Sequence, residues 1–222
     1  MRKEFAKITK ELVTNKDYAV LLGDISVGLF VNADDNLPKN IFNLGVLEQS
    51  MISFAAGLSK GGIIPFVHTI SPFMIERAYE QIKLDLVYNK NKAILVSANG
   101  PFDYTKLGPT HHCPSDVPLL DLLGDIKIYL PARIKDINYC ISKSIKYDFS
   151  SYIRLNSHPS TLNDISDNEI HKKNDTHKKL NIYIGESLSH FEKKIINLKE
   201  DWVYIFDINQ ITIKDIDKYE EI

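Results

Sequence analysis

The stretch NLGVLEQSMISFAAGLSKGGIIPFVHTISPFMIERAYEQ, residues 43–81, constrains this chain more than any other. Leu47, Met51, Phe54, Ala55 and Leu58 recur at the three-and-four spacing of a buried helical stripe. Gly61 and Gly62 follow where a helix end needs residues that tolerate left-handed geometry. Ile63 to His68 reads as a short strand, and a second helix follows that Ser71 can cap and Pro72 can open, with Ile75, Ala78, Tyr79, Ile82 and Leu86 in register. Two amphipathic helices around one strand predict a parallel α/β unit. Glu48 lies on the border of the first apolar stripe, one turn from Ile52 and two from Ala55, so its side chain leans toward packed surface. A carboxylate there is costly unless something pairs with it.

The rest of the chain alternates in the same way. A first helix carries Phe5, Ile8 and Leu12 on one face, and Tyr18 to Leu22 is a strand ending at Gly23-Asp24. Asn40 to Leu44 is extended, and Lys92 to Ser97 is a strand closed by Asn99-Gly100-Pro101. The aperiodic run from Phe102 to Pro114 is a loop at a strand end, where α/β proteins place their chemistry. Ser115-Asp116 caps a short helix; Ile126 to Leu130, a helix from Ile134 to Tyr147, and Tyr152 to Leu155 close a first domain over residues 1–155. Residues 156–179 turn to Asn, Asp, Ser, His and Lys and read as an exposed linker. Residues 180–222 form a partial β-α-β fragment, about 40 residues and too short to fold unaided, so it must lean on the first domain or on a partner.

Composition excludes several classes. A formal charge of −2 gives no basic surface for nucleic acid, and no apolar run of about 18 residues suggests a membrane span. The N-terminus lacks the uninterrupted apolar core of a signal peptide. Cys113 and Cys140 form no CxxC pair, which fits free thiols in a cytoplasmic protein.

The runs GVLEQSMISFAAGLSKGGIIPFVHTISPF, RAYEQI, GPTHH and IYLPA, in that order, resemble the pyrimidine-binding domain of the transketolase family. The resemblance covers roughly residues 15–155, with a weaker echo of the family's C-terminal domain after the linker. It implies a parallel-sheet, thiamine-diphosphate-binding domain with helices on both faces, plus a truncated α/β C-terminal fragment. In that family the cofactor's aminopyrimidine acts as base, once a buried glutamate hydrogen-bonded to its ring nitrogen favours the required tautomer. Glu48 matches that glutamate within GVLEQ; on spacing alone it reads as a surface glutamate paired with a basic neighbour. Phe73 matches the aromatic residue that stacks on the pyrimidine, beside its other reading as core packing. Ile70 and His68 stand near enough to line the same pocket, beside the other reading of His68 as a simply hydrogen-bonded histidine at a strand end. His111 in GPTHH matches the histidine that faces the substrate and moves protons, with His112 as its competitor. Leu107 stands where the family often has an acidic residue that reads substrate hydroxyls, which leaves the substrate open. Asp24 faces either the pocket or solvent, and Arg77 and Gln81 read as packing or dimer-contact residues.

The family holds the diphosphate and its divalent metal, Mg2+ or Ca2+, in another domain marked by GDG and a later asparagine. Gly23-Asp24-Ile25 and Gly124-Asp125-Ile126 are only partial look-alikes, and no metal ligand is assigned in this chain. The resemblance therefore implies a partner N-terminal subunit and a heterotetramer with two copies of each chain. The expected function is the C-terminal subunit of a split transketolase-like enzyme that moves a two-carbon ketol unit between sugars or sugar phosphates. A deoxyxylulose-phosphate-synthase-like carboligase and a non-catalytic scaffold are the alternatives; retention of Glu48 and His111 argues against the scaffold.

Overall fold

In the computed structural model, which describes residues 1–173, 179–209, 211, 213, 214, 216–219 and 222, a six-stranded parallel sheet organises the chain. Its elements are α1 (Arg2–Leu12), β1 (Tyr18–Leu22), β2 (Ile41–Asn43), α2 (Glu48–Lys60), β3 (Ile64–Thr69), α3 (Ser71–Ile75), α4 (Tyr79–Gln81), β4 (Ile94–Ser97), α5 (Asp116–Asp121), β5 (Lys127–Tyr129), α6 (Asp136–Lys146) and β6 (Ser151–Arg154). The strands stand in the order β2-β1-β3-β4-β6-β5. Their near-continuous apolar runs suit a parallel sheet buried on both faces. Alternate residues feed two cores: Val20, Leu22, Phe66 and Val96 pack with α1 and α6, while Leu21, Val67, Leu95 and Tyr152 pack with α2, α3 and α5. The chain is thus an α/β fold with helices on both faces, as its periodicity predicts. Among the described residues no helix is long and apolar enough to cross a membrane. Both cysteines are free and buried.

Local capping differs from expectation in two places. Ser71 makes no side-chain cap; its hydroxyl donates instead to the carbonyl of Asn99, 2.9 Å away across the sheet end. Ser115 likewise gives its hydroxyl to Glu76 rather than to α5. The single helix predicted from Ser71 to Leu86 is interrupted. It turns at Glu76–Ala78, restarts as α4 and continues as a π-helix over Ile82–Tyr88. The wider π-turn absorbs extra residues while keeping Ile82 and Leu86 buried, and such insertions gather at functional sites.

Beyond β6 lie β7 (Ile170–His171), β8 (Leu180–Ile184), α7 (Ser187–His190), α8 (Glu192–Ile196) and β9 (Asp201–Ile205), with β8 and β9 parallel and β7 antiparallel to β9. The expected linker is anchored where it is described. Asn156 and Ser160 are buried, Leu162 and Ile165 pack on the core beside α6, and β7 pairs with the C-terminal sheet. Its residues 174–178 lie outside the described ones, as do positions 210, 212, 215, 220 and 221. The C-terminal fragment leans on the first sheet: Leu130 N–H donates to the Phe206 carbonyl at 2.7 Å, and Ala132 N–H to the Tyr204 hydroxyl at 2.7 Å. Tyr183, Trp202 and Tyr204 share a core with Phe5 and Ile137, while Leu180, Val203, Ile205, Ile213 and Tyr219 form a smaller cluster of the fragment's own.

Candidate active site

β1 connects outward to β2, whereas β3 leads to β4 on the other side, so the loops leaving β1 and β3 part company at their carboxyl ends. Such a switch point opens a crevice in a parallel sheet. Gly23 leaves β1 so close to β3 that an added Cβ would stand 2.9 Å from the Cβ of Thr69. Only glycine fits there, and the crevice begins at that close approach.

Glu48 opens α2 beside it and is 2% exposed. Its Oε2 accepts a hydrogen bond from Arg77 Nη1 at 2.8 Å, and its Oε1 accepts one from the Thr69 hydroxyl at 3.5 Å. The partner that a buried carboxylate requires is therefore Arg77, delivered by the turn between α3 and α4. The same guanidinium lies over Phe73, its Cζ 4.2 Å from the ring centroid. A planar cation thus occupies the angle between an aromatic face and a carboxylate. It stands in for any flat group that stacks on Phe73 and aims an N–H at Glu48. Glu48, Phe73 and Ile70 line one cleft of about 200 Å³, together with Gly23, Asp24 and Thr69.

His111 joins this group: its ring stands edge-on to Phe73 with centroids 5.2 Å apart, and its Nδ1 lies 2.9 Å from the Thr110 hydroxyl. His112 turns elsewhere, packing on Phe102 at 5.3 Å, with Nε2 buried and unpartnered. His68 does not reach the cleft. It is fully buried, its Nδ1 2.7 Å from the Val96 carbonyl and its Nε2 3.1 Å from the Ser26 hydroxyl, and burial pushes its pKa down to about 4. Asp24 is fixed by reciprocal hydrogen bonds with the Asn43 amide and forms a wall common to this cleft and a larger neighbour. That neighbour, of about 540 Å³, is lined by Arg2, Lys3, Ser26, Gly28 and Asn156. Among the described residues no cluster of three or more His, Cys, Asp or Glu side chains is placed to hold a metal ion.

Sequence reading missed Arg77 and Thr69 as partners of Glu48, and Arg2, Lys3 and Ser26 as cleft residues. Arg77 had a signal: a half-apolar setting demands a cation for Glu48, and RAYEQ offers one. Arg77→Ala is expected to lower the unfolding free energy by about 1–3 kcal/mol in urea titration, because the buried carboxylate loses its charged donor. The Arg77 side chain is 43% exposed, so a loss within about 0.5 kcal/mol would instead mark the pair as an ordinary surface contact.

The chain matches the family described as transketolase, pyrimidine binding domain, over residues 1–158. It is 36% identical over 118 residues to an apulose-4-phosphate transketolase subunit of Actinobacillus succinogenes, a match covering 53% of this chain and 38% of that protein. The protein of the same name from Phocaeicola vulgatus is 25% identical over 229 residues, covering 97% of this chain and 72% of its own length. The chain therefore spans less than half of the first of these relatives. A solved structure of a split gene transketolase, an inactive beta4 tetramer, superposes with a TM-score of 0.73 at 22% identity, covering 93% of this chain and 70% of that one, and shows the same fold. Matched over most of its length, and with the buried glutamate beside an aromatic ring at its sheet's switch point, the chain belongs to the transketolase family through its pyrimidine-binding domain.

Proposed function

We propose that this chain is the pyrimidine-domain subunit of a thiamine-diphosphate-dependent, transketolase-like enzyme that moves a two-carbon ketol unit between sugar phosphates. The observation that carries the reading is the Arg77 guanidinium seated on Phe73 and hydrogen-bonded to Glu48, because an aminopyrimidine ring needs those same two contacts. The residues present fit the group: Phe73 and Ile70 offer apolar walls, and Glu48 a buried acceptor. Thiamine diphosphate, when bound, supplies the electron sink for breaking and making a carbon–carbon bond. Glu48 holds a proton at the pyrimidine nitrogen, and Arg77 swings out toward solvent to admit the ring. His111, beside Phe73, is placed to move protons at a substrate oxygen.

Arg2 and Lys3 in the adjoining cleft supply cationic partners for the anionic end of a sugar phosphate. Arg2→Ala is expected to raise KM for a phosphorylated sugar about tenfold with little change in kcat, and to leave KM for its unphosphorylated counterpart unaltered.

The diphosphate and a magnesium ion fall to a partner chain in this reading, which is supported by the naming of both relatives as single subunits of a transketolase. The test mixes this chain with a candidate partner bearing the diphosphate motif, thiamine diphosphate and Mg2+. Ketol transfer by the mixture and by neither chain alone is the expected result, with a native mass equal to two copies of each. A mixture that forms the complex yet performs no carbon–carbon transfer would sink the proposal.

A further inference from the structure

Ser26 lines the larger cleft with an unusual backbone and a fully specified hydrogen bond behind it. Its φ of 64° is left-handed, a region that residues other than glycine seldom adopt, and such outliers gather at ligand sites. Behind the serine, a chain of hydrogen bonds runs back through the sheet to Val96. The Val96 carbonyl can only accept, so Nδ1 of His68 must carry the ring proton. Nε2 is then a bare lone pair, and the Ser26 hydroxyl, 3.1 Å away, must donate to it. His68 stays neutral because it is sealed inside the sheet, its ring 4.9 Å from that of Phe5. The hydroxyl of Ser26 owns one proton and has committed it inward. Only lone pairs remain to face the cleft.

We infer that Ser26 is a substrate-positioning residue that accepts a hydrogen bond from a sugar hydroxyl, its polarity fixed from inside by His68. This deepens the function proposed above and rests on it. Groups with acceptors alone, phosphate and carboxylate oxygens, gain nothing from such an oxygen. The cleft therefore sorts its ligand: Arg2 and Lys3 take the anionic end, and Ser26 takes a hydroxyl on the way to the Glu48 cleft, across the shared wall at Asp24.

Two measurements test this. Nitrogen-15 NMR of the full chain is expected to show the His68 imidazole neutral and protonated at Nδ1 between pH 5 and 8. An Nε2–H tautomer, or protonation well above pH 5, would free the Ser26 proton and overturn the inference. In the assembled enzyme, Ser26→Gly removes the hydroxyl while easing the left-handed backbone, so folding is kept. KM for a ketopentose phosphate donor is expected to rise about five- to tenfold, the worth of one neutral hydrogen bond. KM for hydroxypyruvate, a donor without the secondary hydroxyls of a sugar, is expected to stay the same. Equal changes for both donors, or none for either, overturn the role of Ser26 while leaving ketol transfer standing. Wild-type enzyme inactive on both donors overturns the functional reading beneath it.

Discussion

Glu48→Ala is expected to cut ketol transfer by about 10²- to 10⁴-fold in the assembled enzyme while leaving the fold and the assembly in place. The two effects separate because the carboxylate has different partners in each role. For the fold, its loss frees Arg77, which is 43% exposed and can turn into water, and leaves the Thr69 hydroxyl a single weak bond short. Neither strands a charge in the core, so urea unfolding should move by no more than about 1 kcal/mol. For the chemistry, among the described residues no other carboxylate lines the cleft except Asp24, which the Asn43 amide already holds. Glu48→Gln tests the same point without changing shape, since an amide keeps the volume but cannot share a proton with a ring nitrogen. Turnover close to wild type in either variant would remove Glu48 from the reaction.

What the sequence makes legible follows how local each signal is. The strands stand out because unbroken runs such as Ile94–Ser97 lie between turn residues, and Glu48 and Phe73 are readable because GVLEQ and ISPF carry them in contiguous stretches. The Arg77 contact is legible only as Glu48's need for some cation, since the apolar period through Ile75, Ala78, Tyr79, Ile82 and Leu86 looks like one straight helix and conceals the turn that aims the guanidinium. Ser26 and His68 are 42 positions apart, and their pairing needs the knowledge that β1 and β3 are neighbours with Leu22 opposite His68. The same register explains why His68, expected to line a pocket, lies within the sheet. Asp116 shows the limit from another side. The sequence suggests a helix-capping residue, but its carboxylate accepts from the N–H of the very next residue, Val117, which is not a cap, and its main partners come from β6.

Asp116→Ala is expected to lower the unfolding free energy by about 3–5 kcal/mol, the largest stability loss among the changes considered. Asp116 is wholly buried and accepts from Arg154 Nη1 at 2.8 Å and from the Tyr152 hydroxyl at 2.7 Å. Burial, and then the carboxylate beside it, hold the Tyr152 phenol well above its ordinary pKa, so it remains a donor at every working pH. Without Asp116 the phenol loses its charged acceptor, and Arg154, 8% exposed, keeps Glu186 in the C-terminal fragment as its remaining ion pair among the described residues. A buried cation short of one partner is costlier than the pair was favourable, which sets the size of the loss. The site should feel it too, because Asp116 anchors the start of α5 just beyond the loop that carries His111. Pairing Asp116→Leu with Arg154→Met removes both buried charges together. That double variant should recover at least about half of the loss, since Glu186, 14% exposed, can turn to water. If the double variant is no more stable than Asp116→Ala, packing around the carboxylate matters more than its charge, and the ion-pair account of this junction fails.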